Sequence, residues 1–191
     1  MTYTEPDTLQ IADAVVIERS LRDPDRFAEI FDRHYAEIHG FAARRLGSSL
    51  ADDVAAETFL IAFDRRRRYD LSHPSARPWL YGIASNLIAR HHRAEVRQYR
   101  ALARAGAPQP IEDDADGRID AVAQRARLAA ALLEIAERDR EVLLLVAWAQ
   151  LSCEEAARAL GIPAATARSR LHRARRRTRA ALAADPRSTD R

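Results

Sequence analysis

Near the C-terminus of this 191-residue chain, Ser169, His172, Arg173 and Arg176 fall on one face of a potential helix, flanked by Arg168 and Arg175. At about 100° per residue they stand opposite Ala167, Leu171, Ala174 and Thr178, a narrow stripe of small and apolar side chains. Guanidinium groups present donors in a planar fork that matches phosphate, or the edge of guanine, bidentately. A small inner face under a basic outer face fits a helix lying in a DNA major groove. Residues 151–182 hold eight arginines against two glutamates, Glu154 and Glu155. The bland alternative is a solvated basic helix on an ordinary bundle. The element that carries these arginines decides between the two.

That element has a beginning, a turn and a restart. Ser152 is a good N-cap, and Glu155 three residues later completes a capping box. Ala156, Ala157 and Leu160 then share a face. Gly161 sits where a helix ends in a left-handed residue, and Pro163 suits the first turn of a second helix. Cap, turn and charge agree on a helix-turn-helix.

Two further groups carry usable chemistry. A helix opened by Trp79 bears Asn86, Arg90, Arg93, Arg97 and Arg100 beside the loop 69–78, YDLSHPSARP. Arginine and aromatic side chains in that combination can hold single-stranded DNA. Asp52, Asp53 and Glu57 lie near the start of another helix and Arg65, Arg66, Arg67 and Arg68 at its end, where the helix dipole alone would favour each sign. That structural reading of the two blocks is as good as a functional one. His91 and His92 are neighbours, about 100° apart on a helix, and poorly placed to share an ion. Cys153 excludes an internal disulfide and reads as an incidental cysteine. No nucleophile–base pair, phosphate-binding glycine loop or metal cluster is present, so the expectation is a non-enzyme with no cofactor and no metal.

Composition points to close-packed helices: 47% of residues are hydrophobic but only 6% aromatic. No hairpin signal or alternating strand appears. The formal charge of +3 conceals segregation, and every one of the 31 basic residues is arginine. A GC-rich coding genome accounts for the lack of lysine better than function does; the placement of the arginines is the informative part. No stretch reaches membrane-spanning length and no leader is visible, which predicts a soluble, cytoplasmic protein without membrane insertion.

The expected fold is all-α, two small helical domains joined by a flexible acidic linker. Residues 1–9 are polar and frayed, and 11–21 form a short helix. Phe27, Ile30, Phe31, Tyr35, Ile38, Phe41, Ala42 and Leu46 then keep a helical period up to Gly47. After Ser48 and Ser49 the next helix turns Val54, Thr58, Ile61 and Ala62 inward, with Phe59 and Phe63 beside them. The first domain spans 10–97. Residues 98–120 contain Gly106, Pro108, Pro110 and an acidic tip, and read as a linker that fully extended could reach roughly 75–80 Å. The second domain spans 121–182, with Leu128, Leu132 and Ile135 marking one helix and Val142, Leu145, Val146 and Ala149 the next. Residues 181–191 form a tail.

RDREVLLLVAWAQLSCEEAARALGIPAATARSRLHRARRR resembles region 4 of the extracytoplasmic-function sigma factors of bacterial RNA polymerase. FAEIFDRHYAEIHGFAARRL, ADDVAAETFLIAF and PWLYGIASNLIARHHR resemble region 2 of the same family, in the family's order. The resemblance implies a sigma factor that binds core RNA polymerase, directs promoter recognition and assists melting in transcription initiation. Region 2 would dock on the β′ clamp helices through Asp52, Asp53, Glu57 and Phe59, with the β subunit as a further contact. Tyr69, Ser72, His73, Arg77, Asn86 and Arg90 would engage the downstream promoter element, capturing an unstacked base. Thr166, Arg168, Ser169, His172, Arg173 and Arg176 would read the upstream element. The linker would thread towards the polymerase cleft, or remain solvated. An anti-sigma factor is the further partner expected. Some positions depart from the family: Ala56 stands where glutamine is common, Ile135-Ala136 replaces a leucine-proline and leaves that helix boundary open, and alanines at 164, 165 and 167 leave the second helix with a plain start. The competing readings are a regulator whose N-terminal helices sense a ligand or dimerise, and an adaptor that binds only proteins.

Overall fold

The computed structural model describes residues 11–105, 132 and 135–183. Among them there are helices and turns but no strand. The chain divides into two compact units, with the division between Ala84 and Ser85, inside a long helix.

In the N-terminal unit α1 spans Asp13–Ser20 and is followed by a 3₁₀ turn, Pro24–Phe27. Helices α2 (Ala28–Leu46) and α3 (Ser48–Arg65) form its main packed pair. A single residue joins them: Gly47, at φ +83 and ψ 168, ends one helix and starts the next. That conformation is open essentially to glycine alone, because a Cβ crowds the adjacent peptide. Ser48 and Ser49, expected before the helix, therefore form its first turn. A second 3₁₀ turn, Arg66–Arg68, and a loop lead to α4, Arg77–Ala105.

The core is aliphatic, with Val16, Ile17, Ile30, Ile38, Val54 and Leu80 fully buried. Phe27 meets Phe63 edge-on at 5.5 Å, and Phe41 meets Tyr81 at 5.1 Å. The helix periods expected for α2 and α3 hold in the main, but Phe31 is partly exposed, and Tyr35, Leu46, Ile61 and Phe63 are only half-buried.

Helix α4 corrects the expected loop at both sides. It starts at Arg77 rather than Trp79, because Pro78 occupies a first-turn position whose missing N–H has no helical acceptor anyway. It also runs to Ala105, eight residues into the segment expected as linker. Residues 100–105, RALARA, are strong helix formers, and Gly106 follows. Segments 1–10, 106–131 and 184–191, with the acidic linker tip, the helix at Leu128 and most of the tail, lie outside the described residues.

The C-terminal unit contains α5 (Glu137–Ala147), α6 (Cys153–Ala159) and α7 (Ala164–Ala183), each packed on the other two. Helix α5 starts after Ala136, whose φ −52 and ψ 134 are extended, so the chain breaks there without the proline. Val142, Leu145 and Ala149 are buried as expected and Leu144 joins them, while Val146 is only half-buried.

Gly47→Ala leaves steric room, since nothing lies within 4 Å of the added carbon, and tests backbone strain alone. Denaturant unfolding should show a loss of about 1–3 kcal/mol; an unchanged midpoint would mean the turn tolerates a side chain.

Candidate functional site

Helix α6, the first half of the helix-turn-helix, is closed at both ends. Ser152 Oγ accepts from the Glu155 amide at 3.1 Å, and Glu155 Oε2 accepts from the Ser152 amide at 2.7 Å. At the other end Gly161 has φ +61. Its N–H donates to Arg158 O at 3.1 Å and that of Ile162 to Ala157 O at 3.0 Å, a Schellman closure. Pro163 then supplies a carbonyl to the amides of Thr166 and Ala167, standing just before α7 rather than inside it. Ala156, Ala157, Ala167 and Ala174 are buried with Leu171, so small side chains let the two helices approach closely.

On the outer side of α7, Arg168, Ser169, His172, Arg173 and Arg176 are exposed and Thr166 is half-buried. They do not all stand free. Arg173 donates from Nε and Nη2 to the two carboxylate oxygens of Asp139, at 2.9 and 2.8 Å. Asp139 is buried at the start of α5, and its hydrogen bond to Arg173 holds its carboxyl below the ordinary carboxylate range. Arg173 is therefore a strut between α5 and α7. Arg168 makes an exposed pair with Glu154 at 3.2 Å, the kind of contact that water and salt weaken. The Ser169 hydroxyl turns back to the carbonyls of Ala165 and Thr166. His172 and Arg176 line a cleft of about 480 Å³ together with Arg175, Arg179 and Cys153.

In the N-terminal unit the acidic group lies on α3. Asp52 and Asp53 are exposed, and Glu57 is half-buried. Since α3 begins at Ser48, these residues lie beyond its first turn, where the dipole acts, so the purely structural reading weakens. Asp52 accepts from the Tyr35 hydroxyl at 3.2 Å and pairs with His39 Nε2 at 3.2 Å. Phe59 is corrected: it is only 4% exposed, and its ring lies 5.0 Å from Phe31, so it supports the surface from inside. Sequence periodicity missed Leu60, which is 69% exposed between the acidic residues and the helix end, and Phe31, which is 39% exposed. Phe31 falls on the expected core stripe of α2, and Leu60 falls outside the stripe expected for α3. At the end of α3, Arg66 lies over the Phe63 ring at 3.8 Å and donates to the Phe63 carbonyl, which makes it structural.

The loop 69–76 is braced rather than loose. Tyr69 directs its hydroxyl to the carbonyls of His73 and Ser75, at 2.7 and 3.0 Å, and its ring lies 5.0 Å from Trp79. Asp70 caps the turn by accepting from the Ser72 amide at 3.0 Å. Arg77 donates from Nε to Glu37 Oε2 at 2.9 Å. Of the residues assigned to this site, Tyr69 and Arg77 are thus committed to the fold; Ser72 is exposed and His73 half-buried. Asn86 and Arg90 are exposed on α4. Leu71, 43% exposed at the tip, was not anticipated.

Nothing in the hydrophobic pattern marked the ionic group under this loop. His34 places Nε2 2.9 Å from Asp13 Oδ2 and Nδ1 2.7 Å from Glu37 Oε1. Burial by itself would lower the imidazole pKa, but the hydrogen bonds to Asp13 and Glu37 override it and raise the pKa to about 9. Burial would likewise raise Asp13 and Glu37, yet both are held below the ordinary range, chiefly by hydrogen bonds to His34. Burial pushes the Tyr81 hydroxyl up to about 12, with the Glu37 charge adding to it. No group of histidine, cysteine and carboxylate side chains suited to a metal ion occurs among the described residues. Nor is any described helix long and apolar enough to cross a membrane.

Comparison with known proteins accords with this geometry. Residues 30–98 match the family described as Sigma-70 region 2, and residues 125–178 the family described as Sigma-70, region 4. RNA polymerase sigma factor CarQ of Myxococcus xanthus is 33% identical over 155 residues, which cover 78% of this chain and 84% of CarQ. ECF RNA polymerase sigma factor SigC of Mycobacterium tuberculosis is 34% identical over 139 residues, covering 73% of this chain and 74% of SigC. Among solved structures, CnrH in complex with the cytosolic domain of CnrY superposes with a TM-score of 0.65 at 27% identity, over 91% of this chain and 99% of CnrH.

Two outcomes follow from the ion pairs. Arg173→Ala and Asp139→Asn should each lower the thermal midpoint, and the double variant should fall little further than either single one, because each change breaks the same bond. Additive losses would mean that the two side chains act separately. For His34 the folded pKa lies above the ordinary 6.5, so its stabilisation is complete below pH 6.5 and is lost as pH rises through about 9. Unfolding free energy should therefore decline across that window, and His34→Gln should flatten the decline; an unchanged slope in the variant would assign it to other groups.

Proposed function

This chain belongs to the extracytoplasmic-function sigma factors of RNA polymerase, and from that premise we propose how its parts divide the work. Its function is promoter recognition in transcription initiation with RNA polymerase. The C-terminal helix-turn-helix, proposed as the working part of a domain over 121–182, reads the upstream promoter element. Thr166, Arg168, Ser169, His172 and Arg176 face the groove, and Arg173 adds a contact while tied to α5. The domain over 10–97 docks on the clamp helices of the β′ subunit through Asp52, Asp53 and Glu57, with Leu60 and Phe31 adding apolar area, and contacts the β subunit as well. Loop 69–76, with Asn86 and Arg90, captures an unstacked base of the downstream element and assists strand opening.

The observation that carries this reading is α7 itself: a helix that follows α6 across a Schellman turn, buried on its small-residue stripe and basic outside. The protein acts in the cytoplasm as a non-catalytic subunit without a cofactor. An anti-sigma factor is a further partner, as CnrH is complexed with the cytosolic domain of CnrY. The segment between the domains spans 98–120 as proposed from sequence, its first residues continuing α4.

Run-off transcription tests the whole reading. Core polymerase plus this protein should yield promoter-dependent transcripts, and failure on every cognate template would sink it. Asp53→Arg should abolish capture by core polymerase while leaving upstream-element binding within about twofold, since a like charge across a docking face costs several kcal/mol. Undiminished recovery of β′ with the variant would remove α3 from the interface.

A further inference from the structure

Asp13 and His34 belong to none of the surfaces assigned above to DNA or polymerase, yet they are among the most buried ionisable residues of the N-terminal unit, 7% and 8% exposed. Their partners converge on one place, the exit of loop 69–76. Asp13 Oδ2 accepts from the Ala76 amide at 2.8 Å, while the Ala76 carbonyl accepts from Leu80 and so starts α4. One residue after Asp13, the Ala14 amide donates to Pro74 O at 3.3 Å. Asp13 Oδ1 also accepts from Arg33 at 3.0 Å. From His34 the chain of contacts continues through Glu37 to Arg77 Nε and to the Tyr81 hydroxyl. Segments from α1, α2, the loop exit and the first turns of α4 are thereby joined by one connected set of polar bonds. A cavity of about 550 Å³ opens beside it, lined by Asp13, Arg33, His34, Pro74 and Ser75.

We propose that Asp13 and His34 are positioning residues for downstream-element recognition: they set the exit of loop 69–76 from beneath and touch no DNA themselves. The inference rests on the reading of that loop as the base-capturing element. Both ring nitrogens of His34 face carboxylates, so the ring is a two-sided donor held in one orientation. The Asp13 carboxylate fixes the loop's exit peptide and lies at the N-terminal end of α4, where negative charge is favoured. Tyr69 pins the same stretch from its other end through the carbonyls of His73 and Ser75. Pinned at its exit and exposed at Leu71 and Ser72, the loop is shaped before DNA arrives. A pre-shaped loop loses less conformational freedom on binding, so its release weakens capture of the base more than it weakens sequence-blind attachment.

The experiment uses the full-length protein with core polymerase and a promoter carrying a fluorescent base analogue in the downstream element. Asp13→Asn and His34→Gln are compared with a loop variant, Ser72→Ala with His73→Ala, and thermal midpoints are measured for all. The expected result is core binding within about twofold of the parent and base capture weakened about tenfold, the effect of losing one charge-assisted hydrogen bond. Discrimination between the parent element and a single-base substitution should shrink as well. If Asp13→Asn and His34→Gln lower core binding and base capture in equal proportion, the two residues only stabilise the fold and the inference is overturned. It is also overturned if the loop variant loses discrimination while those two keep it, with base capture by the loop still standing. If the loop variant itself keeps full discrimination, base capture by this loop fails, and the inference with it.

Discussion

A buried imidazolium between two carboxylates organises the N-terminal unit. Aliphatic packing of Ile17, Ile30, Ile38 and Val54 brings α1, α2 and α3 together, but such contacts are not directional and would accept small shifts. His34 removes that freedom. Its nitrogens and the two oxygens of Asp13 lie at hydrogen-bonding distance from groups on α2 and at the exit of the loop before α4. Losing any member would leave a buried charge without its partner, which is costly where water cannot reach. Charge inside this unit therefore contributes geometry as well as stability.

The C-terminal unit reaches a defined geometry by a different route. Helices α5 and α6 are short, and buried alanines pack beside Ile135, Val142, Leu144, Leu145, Leu151 and Leu171. Local backbone closures on α6 and one fork-to-fork ion pair add direction to that packing. The capping box and the Schellman turn satisfy donors and acceptors at the two ends of α6 that would otherwise need water. Arg173 and Asp139 then tie α7 to the start of α5. An arginine on the exposed side of α7 thus also holds the helix in place.

Much of this was legible in sequence. The helix periods, the glycine breaks at Gly47 and Gly161, and the Ser152–Glu155 cap were all visible, because each depends on residues near one another in the chain. What escaped depends on pairs far apart. Asp13 and Ala76, Glu37 and Arg77, or Asp139 and Arg173 carry no local signal that they meet. Periodicity also treats every apolar residue on a stripe as interior, which is why it groups Phe31 with the core, while Phe59 enters the docking set through the family resemblance although its own period points inward. The start of α4 was misplaced for a related reason. Proline read as a loop signal, although a first helical turn accepts it readily.

Arginine is the only long cationic side chain in this protein, so structural and recognition tasks have to be shared within one residue type. The structure separates them by what lies within reach. Arg33 and Arg77 meet buried or half-buried carboxylates, Arg66 meets an aromatic face and a carbonyl, and Arg173 meets Asp139. Each is held by a partner that fixes its plane. On α7, by contrast, Arg168 has only an exposed glutamate, and His172 and Arg176 are open to solvent. A guanidinium already bound bidentately must give up those bonds to read a base edge with the same two donors, whereas an exposed one exchanges only water. Upstream-element readout should therefore centre on Arg168, His172 and Arg176. Arg173, whose Nε and Nη2 are occupied, would have only its remaining nitrogen to offer a phosphate, and such a contact would set register without conveying sequence.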